Sequence, residues 1–250
     1  MKRSVPIVSV AMVVFFGLVG AAWGQSYSVN VGGSGNIQYL TDSNGMTLYY
    51  FTKDVGGTSA CYGGCEKLWP VFYSGNLSVP SSLNSADFGT ITRTDGSMQT
   101  TYKGWPLYYF AADKSAGDMK GEDAHHIWYI MTVPFYNVMV GTSASLGNYL
   151  TDANGMTLYY FTKDATDKSA CYGNCAKLWP VFYAPNVVAT SNLKSSDFGS
   201  ITRDDGTMQT TYKGYPLYYW VHDKNRGETT GQDVGKVWYV IDPEKFNPGM

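Results

Sequence analysis

Four cysteines, three histidines and two acidic loops are the side chains with chemistry to offer, and their spacing limits what that chemistry can be. The cysteines stand as Cys61 and Cys65, then Cys171 and Cys175. Paired sulfurs can ligate a soft metal, carry electrons or close a disulfide. Thiol oxidoreductases space the pair by two residues rather than three. Covalent haem needs a Cys-x-x-Cys-His stretch that is absent here. One pair is an incomplete tetrahedral site, although all four thiolates together would supply four soft ligands to zinc or copper. Disulfides remain, in one of three pairings. The symmetric spacing favours the local one, Cys61–Cys65 and Cys171–Cys175, because residues four apart on a helix bring their Cα atoms to about 6 Å, within a disulfide's reach.

Residues Tyr39 to Ile130 recur as Tyr149 to Val240, 110 positions on and without a gap, with about 58 of 92 residues unchanged. What both copies keep is turn residues, aromatics and cysteine. What they do not keep bears on catalysis. His125-His126 becomes Gly235-Lys236, and His222, beside Asp223, has no histidine opposite it in the first copy. On a strand, adjacent histidines point to opposite faces and rarely share a metal. The loops with Asp113, Asp118, Glu122 and Asp123, and with Asp223, Glu228 and Asp233, are acidic in both copies. Such loops can hold calcium or can simply face water. No cofactor is expected; calcium and a transition metal are the alternatives these side chains could accommodate. There is no Gly-x-Ser-x-Gly elbow, no phosphate loop and no His-Glu-x-x-His. Paired carboxylates exist in any chain this long and do not by themselves indicate glycoside hydrolysis. No catalytic residue is assigned, and a hydrolytic enzyme is the last of the readings.

A shorter motif, Tyr-x-aromatic-x-x-Asp, occurs four times: Tyr49/Phe51/Asp54, Tyr108/Phe110/Asp113, Tyr159/Phe161/Asp164 and Tyr218/Trp220/Asp223. Alternation along a strand puts the tyrosine and the second ring on one face. The aspartate falls past the strand end, where its carboxylate can accept backbone N–H bonds and fix the turn. Alternatively the rings and carboxylates line a groove for sugar or peptide. Burial separates the two readings.

The elements that must position these residues are short. Tyr39–Asp42 and Thr47–Thr52 flank Asn44-Gly45, and Ile91–Arg93 and Met98–Lys103 flank Asp95-Gly96, two hairpin signals that the second copy repeats. Pro106–Phe110 and Ile127–Val133 complete the strands. Ala60–Leu68 and Ala170–Leu178 read as helical and stop at the Trp-Pro that follows. The class is all-β: two tandem homologous β domains of about 100 residues, each with one short helical turn carrying Cys-x-x-x-Cys. A four-bladed propeller is the competing arrangement, but only alternate motif copies carry cysteines. The boundaries read as a signal peptide at 1–24, an N-terminal lead at 25–36, repeat domains at 37–133 and 147–243, a linker at 134–146 and a tail at 244–250.

The signal peptide rests on Lys2 and Arg3, the apolar run Val5–Val19, and Ala22-Trp23-Gly24 before the expected cut. The apolar run is shorter than a membrane span, so the processed chain is not expected to be an integral membrane protein. That chain carries 16 Lys+Arg against 20 Asp+Glu, a poor match for nucleic acid. It is expected in the periplasm or outside the cell, an oxidising setting that suits disulfides. Taken together, the four motif copies, Cys-x-x-x-Cys followed by Trp-Pro, and the closing Trp128-Tyr129 and Trp238-Tyr239 resemble the secreted, often lipoprotein, repeat family with the Tyr-x-(Phe/Trp/Tyr)-x-x-Asp motif. The resemblance covers nearly all of the chain after residue 24 and implies no known activity. The lipidated cysteine of many relatives is missing. The leading expectation is a non-catalytic binding or structural module of the envelope, with a polysaccharide or another secreted protein as partner. The alternative is extracytoplasmic redox or metal handling.

Overall fold

A computed structural model describes residues 27–35 and 37–247; the expected signal peptide lies outside them. The first repeat contains β1 (Val29–Ser34), β2 (Ile37–Asp42), β3 (Tyr49–Phe51), α1 (Gly64–Leu68), β4 (Phe88–Thr92), β5 (Met98–Tyr102), β6 (Trp105–Pro106), β7 (Trp128–Ile130) and β8 (Thr132–Val133). The second contains β9 (Val138–Ser143), β10 (Gly147–Asp152), β11 (Tyr159–Phe161), α2 (Asn174–Leu178), β12 (Phe198–Thr202), β13 (Met208–Tyr212), β14 (Tyr215–Pro216) and β15 (Trp238–Val240). The strands pair antiparallel, as β1-β2-β8, β3-β7 and β4-β5-β6, then β9-β10, β11-β15 and β12-β13-β14. The fold is all-β, two tandem copies of one small unit.

Asn44-Gly45 does reverse the chain. Gly45 sits at φ 78° and Asp42 Oδ1 accepts from the N–H groups of Asn44 and Met46. The expected hairpin is nevertheless brief. After a bridge between Thr41 and Thr47 the chain turns away, and β3 pairs with β7, some eighty residues on, because both are apolar on two sides. Its alternation divides two cores: Tyr50 points into one with Leu40, Leu48, Trp105 and Leu107, while Tyr49 and Phe51 point into another with Trp69, Tyr108 and Trp128.

One expectation needs correcting. The helical stretches are five residues long, not nine, because Gly63 and Gly173 sit at φ 61° and 58° just before them, outside helical space. The segment 134–146, read as a linker, holds β9, which pairs with β10 as β1, in the expected lead, pairs with β2. Phe246, in the expected tail, packs on Tyr160, Tyr212 and Tyr215.

The repeats are pinned together. Met139 of β9 enters the first repeat's core. Arg226 reaches back from the second repeat: its Nε donates to Val55 O at 2.6 Å, and its guanidinium lies 4.6 Å from the Trp105 ring centroid. Trp105 Nε1 donates in turn to Ala153 O at 3.0 Å.

Candidate functional site

The twelve motif residues fall in two places, one per repeat, and pair across motif copies rather than within them. Tyr49 and Tyr108 exchange two backbone hydrogen bonds, each 2.9 Å. The Tyr49 hydroxyl then donates to Asp113 Oδ2 at 2.7 Å, and the Tyr108 hydroxyl to Asp54 Oδ2 at 2.5 Å. The second repeat does the same through Tyr159–Asp223 at 2.6 Å and Tyr218–Asp164 at 2.8 Å. Each aspartate also fixes its own turn: Asp54 accepts from Ala60 N and Asp113 from Lys120 N. All eight residues are buried. Where the carboxyl is ionised, a buried bond of this kind contributes about 1.5–3 kcal/mol.

Burial sets the proton balance. It pushes the Asp54 carboxyl up to about 7, against the opposing hydrogen bonds from Tyr108 and Ala60 and the nearby Arg93 charge. Asp164 rises to about 6 for the same reason. Burial, and then the facing aspartate, also raises the hydroxyls of Tyr49, Tyr108, Tyr159 and Tyr218, so the tyrosines stay protonated donors.

The remaining motif position builds a ladder of rings. Phe51 stacks on Trp128 at 4.1 Å, Trp128 on Trp69 at 3.9 Å, and Trp69 lies 4.4 Å from Phe110. Phe161, Trp238, Trp179 and Trp220 repeat it at 4.2, 3.8 and 4.1 Å. Gly121 lets Trp69 in, since a Cβ there would sit 2.6 Å from the indole. The cysteines flank the ladder as two local disulfides, Cys61–Cys65 and Cys171–Cys175, with Cα atoms 5.3 and 5.2 Å apart.

A third set of residues was not singled out in the sequence. Arg93 is buried beneath the disulfide, where its guanidinium donates to Ser59 Oγ, Gln99 Oε1 and Cys61 O. Ser59 Oγ lies 2.8 Å from the Tyr108 hydroxyl, joining Arg93 to Asp54 through two hydroxyls. Arg203, Ser169 and Gln209 repeat the arrangement. The available signal was the retention of all three residues in both copies, alongside the louder aromatics.

The acidic loops spend their carboxylates on themselves. Asp118 accepts from Lys114 N, Ser115 N and Lys120 Nζ, and Glu228 from Lys224 N and Asn225 N. His125 and His126 lie in a turn with φ of 54° and 57°, not on a strand, and both are exposed. Among the described residues no three His, Cys, Asp or Glu side chains converge as a metal site.

The geometry therefore offers two interlocked, buried tyrosine–aspartate crosses, each faced by a disulfide and by a ring ladder that ends on the half-buried Phe110 or Trp220. No curated protein matches this chain, and no solved structure does. Over residues 36–73, 89–132, 142–183 and 199–242, four segments that each hold one motif copy, the chain matches the family described as a secreted repeat of unknown function, and it belongs to that family.

Proposed function

We propose that this chain is a non-catalytic binding module, exported by its N-terminal signal peptide, that engages an envelope polysaccharide or another secreted protein through equivalent faces of its two repeats. The observation carrying this reading is what remains exposed. Seven large apolar side chains are exposed among the described residues, and six form matched pairs: Leu68 with Leu178, Tyr73 with Tyr183, and Met98 with Met208. The core does not need them, since Tyr73 and Tyr183 are 48 % and 44 % exposed. Two matched sets of exposed side chains on one chain favour a repetitive partner, because the second contact forms at high effective concentration.

The test is sedimentation of the purified protein with envelope polysaccharide from its own host. Tyr73→Ser and Tyr183→Ser should each weaken binding to the level of one site, and the double change should abolish it without lowering the melting temperature. Undiminished binding by the folded double variant would sink the proposal.

A second reading, electron handling outside the cytoplasm, draws on the stacked tryptophans beside each disulfide. It requires a bound carrier, so a colourless, metal-free sample purified natively from the host removes it.

A further inference from the structure

The seventh exposed apolar residue has no partner. Ile37 is 49 % exposed, and the second repeat has Gly147 at that position. Ile37 lines a cleft of about 210 Å³ between the repeats. The first repeat contributes Ile37, Ile130, Val133 and Pro134, and the second contributes Val188 and Ala189. The second wall is held in place by Asn137, whose N–H donates to Val188 O and whose Oδ1 accepts from Val188 N, both at 2.9 Å. Neither repeat alone forms this space. Of its eleven lining positions, ten differ from their counterparts 110 residues away, although most of the repeated sequence is unchanged. The cleft is where the copies part company.

Its polar lining includes Gln38, Thr132, Ser191 and Glu122, and Glu122, which the Ser191 hydroxyl faces, is the charged member. One carboxylate oxygen accepts from Ile130 N at 2.6 Å. The second repeat makes the same bond without a charge, from Val240 N to Gln232 Oε1 at 2.8 Å. The fold therefore needs an acceptor here, and the negative charge is surplus to it. Among the described residues no lysine, arginine or histidine pairs with Glu122. Burial raises its carboxyl above the usual range, as expected for a carboxylate lacking a countercharge. A cation entering the cleft would supply one.

We propose that the inter-repeat cleft binds a small amphipathic cation, its ammonium group against Glu122 and a hydrocarbon body one ring in size between Ile37, Val133, Pro134 and Val188. The size follows from the volume, since an apolar cavity of about 150 Å³ takes benzene. This site is separate from the matched faces, so either proposal can fail without the other.

The experiment compares cyclohexylmethylamine with cyclohexylmethanol by titration of the full chain, followed by NMR. The amine should saturate and bind about tenfold more tightly than the alcohol, the margin of a charged over a neutral hydrogen bond. Glu122→Gln, which installs the second repeat's own residue, should bring the amine down to the alcohol and leave the alcohol unchanged. Ile37→Gly should weaken both together. Equal binding of amine and alcohol by the unaltered chain, no saturation by either, or an amine preference surviving in folded E122Q would each overturn the proposal. Should E122Q fail to fold, the preference of the unaltered chain decides alone.

Discussion

Raising the pH from 4 to 7 should destabilise this protein, the reverse of ordinary acid denaturation. In the folded chain burial holds the Asp54 proton up to about pH 7, whereas in the unfolded chain it leaves at the ordinary aspartate value of about 3.9. A carboxyl whose pKa is raised by folding contributes fully below the unfolded value, and that contribution drains away as pH climbs to the folded one. The difference is worth about 1.4 kcal/mol for each pH unit, or about 4 kcal/mol across the window for Asp54 alone. That is a large share of the roughly 5–15 kcal/mol that holds a typical domain together. Asp164 acts in the same sense up to about 6, and Glu122 and Asp152 are also raised by burial. Asp95, Asp118, Asp205 and Glu228 are lowered by hydrogen bonds from their own loops. Their contribution is lost as pH falls below about 4.5. Urea unfolding followed by tryptophan fluorescence, with disulfides intact, measures the slope. Asp54→Asn cannot ionise and should flatten it. Stability that rises between pH 4 and 7, or a slope that D54N leaves unchanged, would refute the reasoning.

The reciprocal pairing has a direct check. A double-mutant cycle of Tyr49→Phe with Asp113→Asn should show a coupling of about 1.5–3 kcal/mol, while Tyr49→Phe with Asp54→Asn, in the same motif copy, should be close to additive. Arg226→Ala should cost about 2–4 kcal/mol through the lost bond to Val55 and the lost cation–π contact, and should split one calorimetric transition into two. Gly121→Ala and Gly231→Ala should each cost about 1–3 kcal/mol by overpacking the ladder, with loss of near-ultraviolet circular dichroism.

The turns were legible because Asn44-Gly45 and Asp95-Gly96 act locally, and the disulfides because the cysteines recur with their spacing. The strand β9 was hidden by its glycine. Gly141 suggested a loop, but it is a strand residue kept small so that Tyr149, Thr151 and Val55 can close over it; an added Cβ would come within 3.1 Å of each. Gly32 serves the same purpose against Tyr39 and Thr41. Asp54 was legible as a turn carboxylate and illegible as the acceptor for Tyr108, 54 residues away, because no local pattern encodes which distant hydroxyl will arrive. The same holds for Arg93, whose exposed neighbours Thr92 and Thr94 gave no sign of a buried guanidinium between them.

The crossed tyrosines and aspartates carry a consequence for how such chains can grow. A segment of some fifty residues bearing one motif would emerge with a phenol and a carboxylate whose mates lie in another segment. The heritable unit of this architecture is thus a couple: lengthening or trimming by an odd number of motifs strands a buried acid, whereas adding two at a time leaves each new pair complete.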